Sequence, residues 1–140
     1  MLETTTRCDV IQALQVEMNS IKATIDSSLG ESVPVHYDNT EYTSESDQPF
    51  VSFVINFSGN GEKLDAVTNR QAGIAVAQVF TPLAKGTKQS AQITDIIEDG
   101  FKGLKWVDDV LLINFTAVAS IGKEGGMYQT NVNIYFEYKK

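Results

Sequence analysis

The sequence predicts one α+β domain: a single sheet, antiparallel or mixed, with an N-terminal helix and a second helix on one face, in the order α-β-β-β-α-β-β. Three observations predict it. Two segments repeat apolar residues at spacings of three and four, the helical period, while others alternate apolar and polar residues with the period of a strand. Strand-like runs follow one another without a helix between each pair, which suits antiparallel pairing better than parallel winding. No internal repeat or second compositional zone divides the 140 residues, so 1–140 reads as one domain. A chain of that length buries roughly two-thirds of its unfolded surface and needs no metal or disulfide to fold.

Residues 7–29 read as a helix, with Ile11, Leu14, Met18, Ile21, Ile25 and Leu29 on one face, Thr4, Thr5 and Thr6 as candidate N-caps and Gly30 as a C-terminal stop. Pro34 breaks that pattern, and "VPVHYDN" reads as a short strand leading into the acidic segment 38–48. "PFVSFVINFSG", from Pro49, alternates Val51, Phe53, Ile55 and Phe57 against Ser52, Asn56 and Ser58, with Val54 as the exception. Gly59 and Gly61 open a loop. "RQAGIAVAQVFTP" reads as a strand on the weight of Ile74, Val76, Val79 and Phe80, ended by Pro82. Residues 88–101 read as the second helix, with Ala91, Ile93, Ile96, Ile97 and Phe101 on its stripe and Asp95, Glu98 and Asp99 off it. "VLLINFTAVAS" is a strand of large apolar residues. The last run places Tyr128, Thr130, Val132, Ile134, Phe136 and Tyr138 on one face and Gln129, Asn131, Asn133 and Glu137 on the other.

Composition narrows the function. The net charge is −7, and no Lys/Arg run gathers the eleven basic residues, so tight nucleic-acid binding is not expected. The single cysteine, Cys8, excludes an intrachain disulfide and a Cys-based zinc site, and its helical setting predicts a small buried residue. No secretory signal or membrane span is read; "NFS" at Asn56 and "NFT" at Asn114 fall inside strand-like runs and are taken as chance matches to the glycosylation pattern.

Candidate chemistry is sparse. The only histidine, His36, has no G-x-S-x-G elbow to serve and reads as an edge-strand or half-buried residue. One histidine cannot build a His-rich metal site, and Asp108–Asp109 lacks the spaced ligands of a calcium loop. "GKEGG" puts its lysine before the glycines and a strand after them, whereas a phosphate cradle needs a helix N-terminus there. "SIGKEGG" therefore reads as the turn of the closing hairpin, with Gly122, Gly125 and Gly126 supplying backbone conformations that other residues resist. No catalytic, cofactor or metal residues are expected, and the chain reads as a non-enzyme.

"SIGKEGGMYQTNVNIYFEY" also carries a resemblance. A strand ending in Ser120, Ile121 and Gly122, a Gly125–Gly126 step and an alternating strand from Tyr128 resemble the C-terminal signature of phage tail terminator-like proteins. The order of the other elements resembles that family over nearly the whole chain. The departures are Met127, where the family often has a second aromatic residue, and the short "KE" between the glycines. The resemblance implies an α+β virion protein of long, non-contractile (siphovirus) tails, made in the host cytoplasm. It implies a homohexameric ring that caps the tail tube, stops its polymerisation and offers the head connector a docking surface. Partners would be further copies of the chain, the tube protein and the connector, with DNA passing through the lumen unbound and no membrane involved. Asp38, Glu41, Glu45, Asp47, Glu62 and Asp65 are then candidate lumen or partner-facing acids, since a negative wall withholds the affinity gained by neutralising phosphates.

Two other readings stay open: a head–tail joining or minor tail protein of related fold, and a small-ligand module using a concave sheet face with Phe53, Phe57, Tyr128 and Phe136.

Overall fold

The computed structural model describes residues 6–37, 48–57, 62–63, 69–83, 86–102, 106–107, 111–124 and 126–139. It comprises α1 (Arg7–Leu29), β1 (Val35–Tyr37), β2 (Phe50–Phe57), β3 (Glu62–Lys63), β4 (Asn69–Pro82), α2 (Gly86–Lys102), β5 (Trp106–Val107), β6 (Leu111–Glu124) and β7 (Met127–Lys139). The α+β order read from the sequence holds. Two two-residue strands, β3 and β5, add to its five principal ones.

All seven strands join one mixed sheet in the order β1-β2-β4-β7-β6-β5, with β3 beside β4. Only β1–β2 is parallel. Because β7 is antiparallel to both β4 and β6, the latter two run in the same direction, joined through α2 with β7 inserted between them. The closing hairpin therefore supplies the central strand.

Alternation decides which face is covered. Val51, Phe53 and Ile55 of β2 lie opposite Val79, Ala77 and Ala75 of β4, and the two alanines lie opposite Val132 and Ile134 of β7. These residues are buried beneath the helices. Both helices lie on that face: α1 contributes Val10, Leu14, Met18, Ile21 and Ile25, and α2 contributes Ile93, Ile97 and Phe101. Phe53 and Phe101 stack nearly parallel at 6.2 Å between ring centres. The helices meet where Gly100 admits Ile21; a Cβ on that glycine would fall 2.7 Å from the isoleucine side chain.

The ends of α1 are fixed as its sequence predicts. Thr6 and Asp9 form a reciprocal capping box: the Thr6 amide donates to Asp9 Oδ2 at 2.9 Å, and the Asp9 amide donates to Thr6 Oγ1 at 3.1 Å. At the other end Gly30 takes the left-handed conformation (φ 71°) and donates its amide to the Asp26 carbonyl. The Asp26 carboxylate then accepts from the Val33 amide at 2.8 Å, steering the chain towards β1.

Two helix expectations need correction. Cys8 is exposed, because it falls on the polar side of α1, away from the Leu14–Met18 stripe. Ala91 is also exposed: the covered stripe of α2 runs through Ile93, Ile97 and Phe101, and Ala91 sits a third of a turn off it.

Candidate functional site

The glycine-rich segment differs from the expected turn in one respect. Ser120, Ile121 and Gly122 lie within β6, which continues to Glu124, so the hairpin reverses only around Gly126. Gly126 (φ 81°) and Gly122 (φ 112°) both occupy the positive-φ region that favours glycine. Gly122 meets that need inside a β-bulge: the register with β7 slips between Ser120 and Gly122, and again between Ile113 and Phe115. Gly125 lies outside the described residues. The turn also docks onto the sheet, since the Leu83 amide at the end of β4 donates to the Gly126 carbonyl at 3.3 Å.

Beside this hairpin lies a cleft of roughly 330 Å³ between α2 and the sheet, lined by Thr87, Ser90, Thr94 and Asp95 from the helix and Val118, Ser120, Tyr128 and Thr130 from β6 and β7. Its hydroxyls largely satisfy one another. Ser90 Oγ donates to Thr130 Oγ1 at 2.9 Å, Thr94 Oγ1 donates to the Ala91 carbonyl at 3.1 Å, and Ser120 and Tyr128 share a hydrogen bond. Ser120 and Tyr128 thus come together through their hydroxyls in the lining of the cleft, although in the strand register Ser120 lies opposite Thr130 and Tyr128 opposite Lys123.

The other distinctive surface is the outer edge of β6. Beyond the pairing of Leu111 and Leu112 with β5, no described strand covers it. Three large apolar side chains along it are exposed: Phe115 at 58%, Val118 at 46% and Ile121 at 55%. Phe115 stacks on Tyr135 at 4.3 Å on the helix-free face, while Val118 lies opposite Val132 on the helix-bearing face. Exposed apolar residues on an unpaired edge are what a lone soluble domain ordinarily avoids.

Three of the four aromatics expected on a ligand face pack into the core. Phe53 and Phe136 are each only 1% exposed, because the helices fill that side of the sheet; Phe57 is half-buried against Phe136 and Tyr138, with the Arg7 guanidinium 5.6 Å from its ring centre. Phe53, Phe57 and Phe136 thus belong to the core, and Tyr128 alone of the four lines the cleft beside α2.

Of the six acids expected to face a lumen or partner, Asp38, Glu41, Glu45, Asp47 and Asp65 lie outside the described residues. Glu62 is placed only by its backbone, in β3 opposite Arg70. Among the described residues no group of three or more His, Cys, Asp or Glu side chains could hold a metal. His36 lies on the parallel edge strand β1, its ring edge-on to Phe50 at 6.0 Å, and burial holds its imidazole below the usual value. The Tyr37 hydroxyl bonds to Asn19 of α1 and is pushed up by burial.

Sequence reasoning missed the exposed β6 edge. The signal was present in the large apolar residues of "VLLINFTAVAS", but strand order alone makes that strand an edge.

No protein-family model matches the chain, and no curated protein does. Among solved structures, one chain whose name describes no function matches with a TM-score of 0.68, covering 92% of this chain and 95% of that one at 8% identity. At that identity the likeness shows a shared fold and nothing more.

Proposed function

We propose that this chain is a structural assembly subunit of the tail-terminator type, which forms a ring on the end of a phage tail tube, stops its growth and offers a docking surface to the head connector. The observation that carries the reading is the unfinished β6 edge with Phe115, Val118 and Ile121 turned outward. A second copy or a tube subunit would cover these side chains, as ring assembly requires. The resemblance of the Ser120–Tyr138 segment to terminator-like proteins supplies the kind of assembly.

The test is to let purified tube protein polymerise with and without this chain and to measure tube lengths by negative-stain microscopy. Tubes of limited length ending in a ring are expected. Tubes equally long in both samples would sink the proposal. Deleting the gene separates the nearest alternative: overlong tubes point to a terminator, and normal tails lying beside filled heads to a joining protein.

A further inference from the structure

We propose that the open edge of β6 pairs with the same edge of a second copy of this chain, antiparallel, about a two-fold axis through Val118. The segment Phe115-Thr116-Ala117-Val118-Ala119-Ser120-Ile121 reads almost the same in both directions. Antiparallel pairing about Val118 places Phe115 against Ile121 of the second copy, Thr116 against Ser120, Ala117 against Ala119 and Val118 against itself. Every pair then joins side chains of like size and polarity, as a two-fold contact demands of a surface that must complement itself.

The faces agree as well. Phe115, Ala117 and Ala119 lie opposite Tyr135, Asn133 and Asn131 on the helix-free face, and Ile121, at the bulge that follows, is exposed. Thr116, Val118 and Ser120 lie opposite Ile134, Val132 and Thr130 on the helix-bearing face. One β-bulge falls just before this stretch, between Ile113 and Phe115, and the other falls on its last residue, Ile121, which has no partner in β7; the regular part of the pairing is therefore Thr116–Ser120, with Phe115 and Ile121 meeting at its ends. None of its seven residues is charged and none is proline, so two of the usual guards against edge pairing are missing where the self-match is best.

Seven paired residues on one strand bury less than the roughly 1,200–2,000 Å² of a standard stable interface, so the dimer is reversible and concentration-dependent. That reversibility has a use if the ring reading holds. An edge paired with its twin is closed to any other strand, so dimers would be held out of the ring until the tube displaces one copy. The pairing itself does not rest on the ring reading; this consequence does.

Cysteine scanning tests it in a Cys8→Ser background, which removes the exposed native thiol. Directly opposed residues of an antiparallel pair have Cα atoms about 4.5–5.5 Å apart, within disulfide range. Val118→Cys should therefore cross-link to itself on oxidation. Thr116→Cys should not, but should cross-link when mixed with Ser120→Cys chains. Val118→Asp, at a side chain already 46% exposed, should keep the native circular dichroism while raising the dimer dissociation constant at least about tenfold in sedimentation equilibrium. A monomer at every concentration, a dimer indifferent to Val118→Asp, or cross-linking of Thr116→Cys to itself as strong as that of Val118→Cys would overturn the proposal. A cross-linked dimer that leaves tube length unchanged would keep the pairing and remove the ring reading; a strict monomer that caps tubes would do the reverse.

Discussion

Gly73 shows how much a single residue decides. A Cβ there would fall 2.5 Å from the tip of the Phe136 ring and 2.8 Å from the Asn56 carbonyl oxygen, and the backbone oxygen cannot swing aside. Gly73→Ala is expected to cost about 1–3 kcal/mol by overpacking, measured by denaturant unfolding. Gly126→Ala meets nothing within 4 Å, yet it must adopt a φ of 81°, and about 1–2 kcal/mol follows from the backbone alone. Gly126→Asn should lose less, because asparagine tolerates the left-handed region. His36 gives a pH dependence. Its folded value lies below the ordinary 6.5, so the unfolded chain binds the proton more readily, and stability falls as pH drops from about 6.5 towards the folded value. NMR titration should place His36 below its unfolded value, and His36→Gln should flatten this part of the stability profile. The glycines and the histidine are visible in the sequence; that Gly73 touches Phe136 is not, because 62 residues of chain separate partners that only the β4–β7 register brings together.

At the scale of elements, α1 was the most legible. Its stripe, its Thr6 cap and its Gly30 stop all follow from local chemistry, which is why the predicted bounds 7–29 hold. Thr6→Ala should cost about 1 kcal/mol, since it leaves the Asp9 amide without its acceptor; thermal unfolding monitored by circular dichroism checks it. Leu14→Ala, at a fully buried side chain of the same helix, should cost about 2–5 kcal/mol. The stripe of α2 was read with one residue too many, because alanine suits a buried or an exposed helix position alike. β6 was legible as a strand but not as an edge. Its large apolar residues leave open what covers each face, and tertiary strand order leaves Phe115, Val118 and Ile121 outside.

For the whole molecule, the sheet has two faces and they differ in kind. One is closed by α1 and α2 over an aliphatic and aromatic core; the other is mixed, with Ser52, Gln78, Gln129, Asn131 and Asn133 beside Val54, Val76 and the stacked pair Phe50–Phe80, and with the Gln129 side-chain amide donating to Asn131 Oδ1 at 2.9 Å. The helix-free face of mixed character lies beside the exposed apolar residues of β6, the edge through which the proposed joining would run. If such joining occurs on a tail tube, lysine at Phe115 and Ile121 together should leave the fold intact, since both side chains are already exposed, and should abolish the length limit in the tube assay. Capping by that variant as efficient as by the natural chain would show that the edge is not the contact.

Local chemistry sets the fold class, both helices, the principal strands and the faces that β2 and β7 turn inward, because helix period, strand alternation, capping and glycine stops are properties of neighbouring residues. Only the tertiary structure decided that β7 runs between β4 and β6, that the serine and glycine of "SIG" lie in a bulged strand before the turn, and that β6 borders the sheet. Those outcomes depend on long-range pairing, in which the helix-covered core chooses among registers that the strands alone leave equivalent.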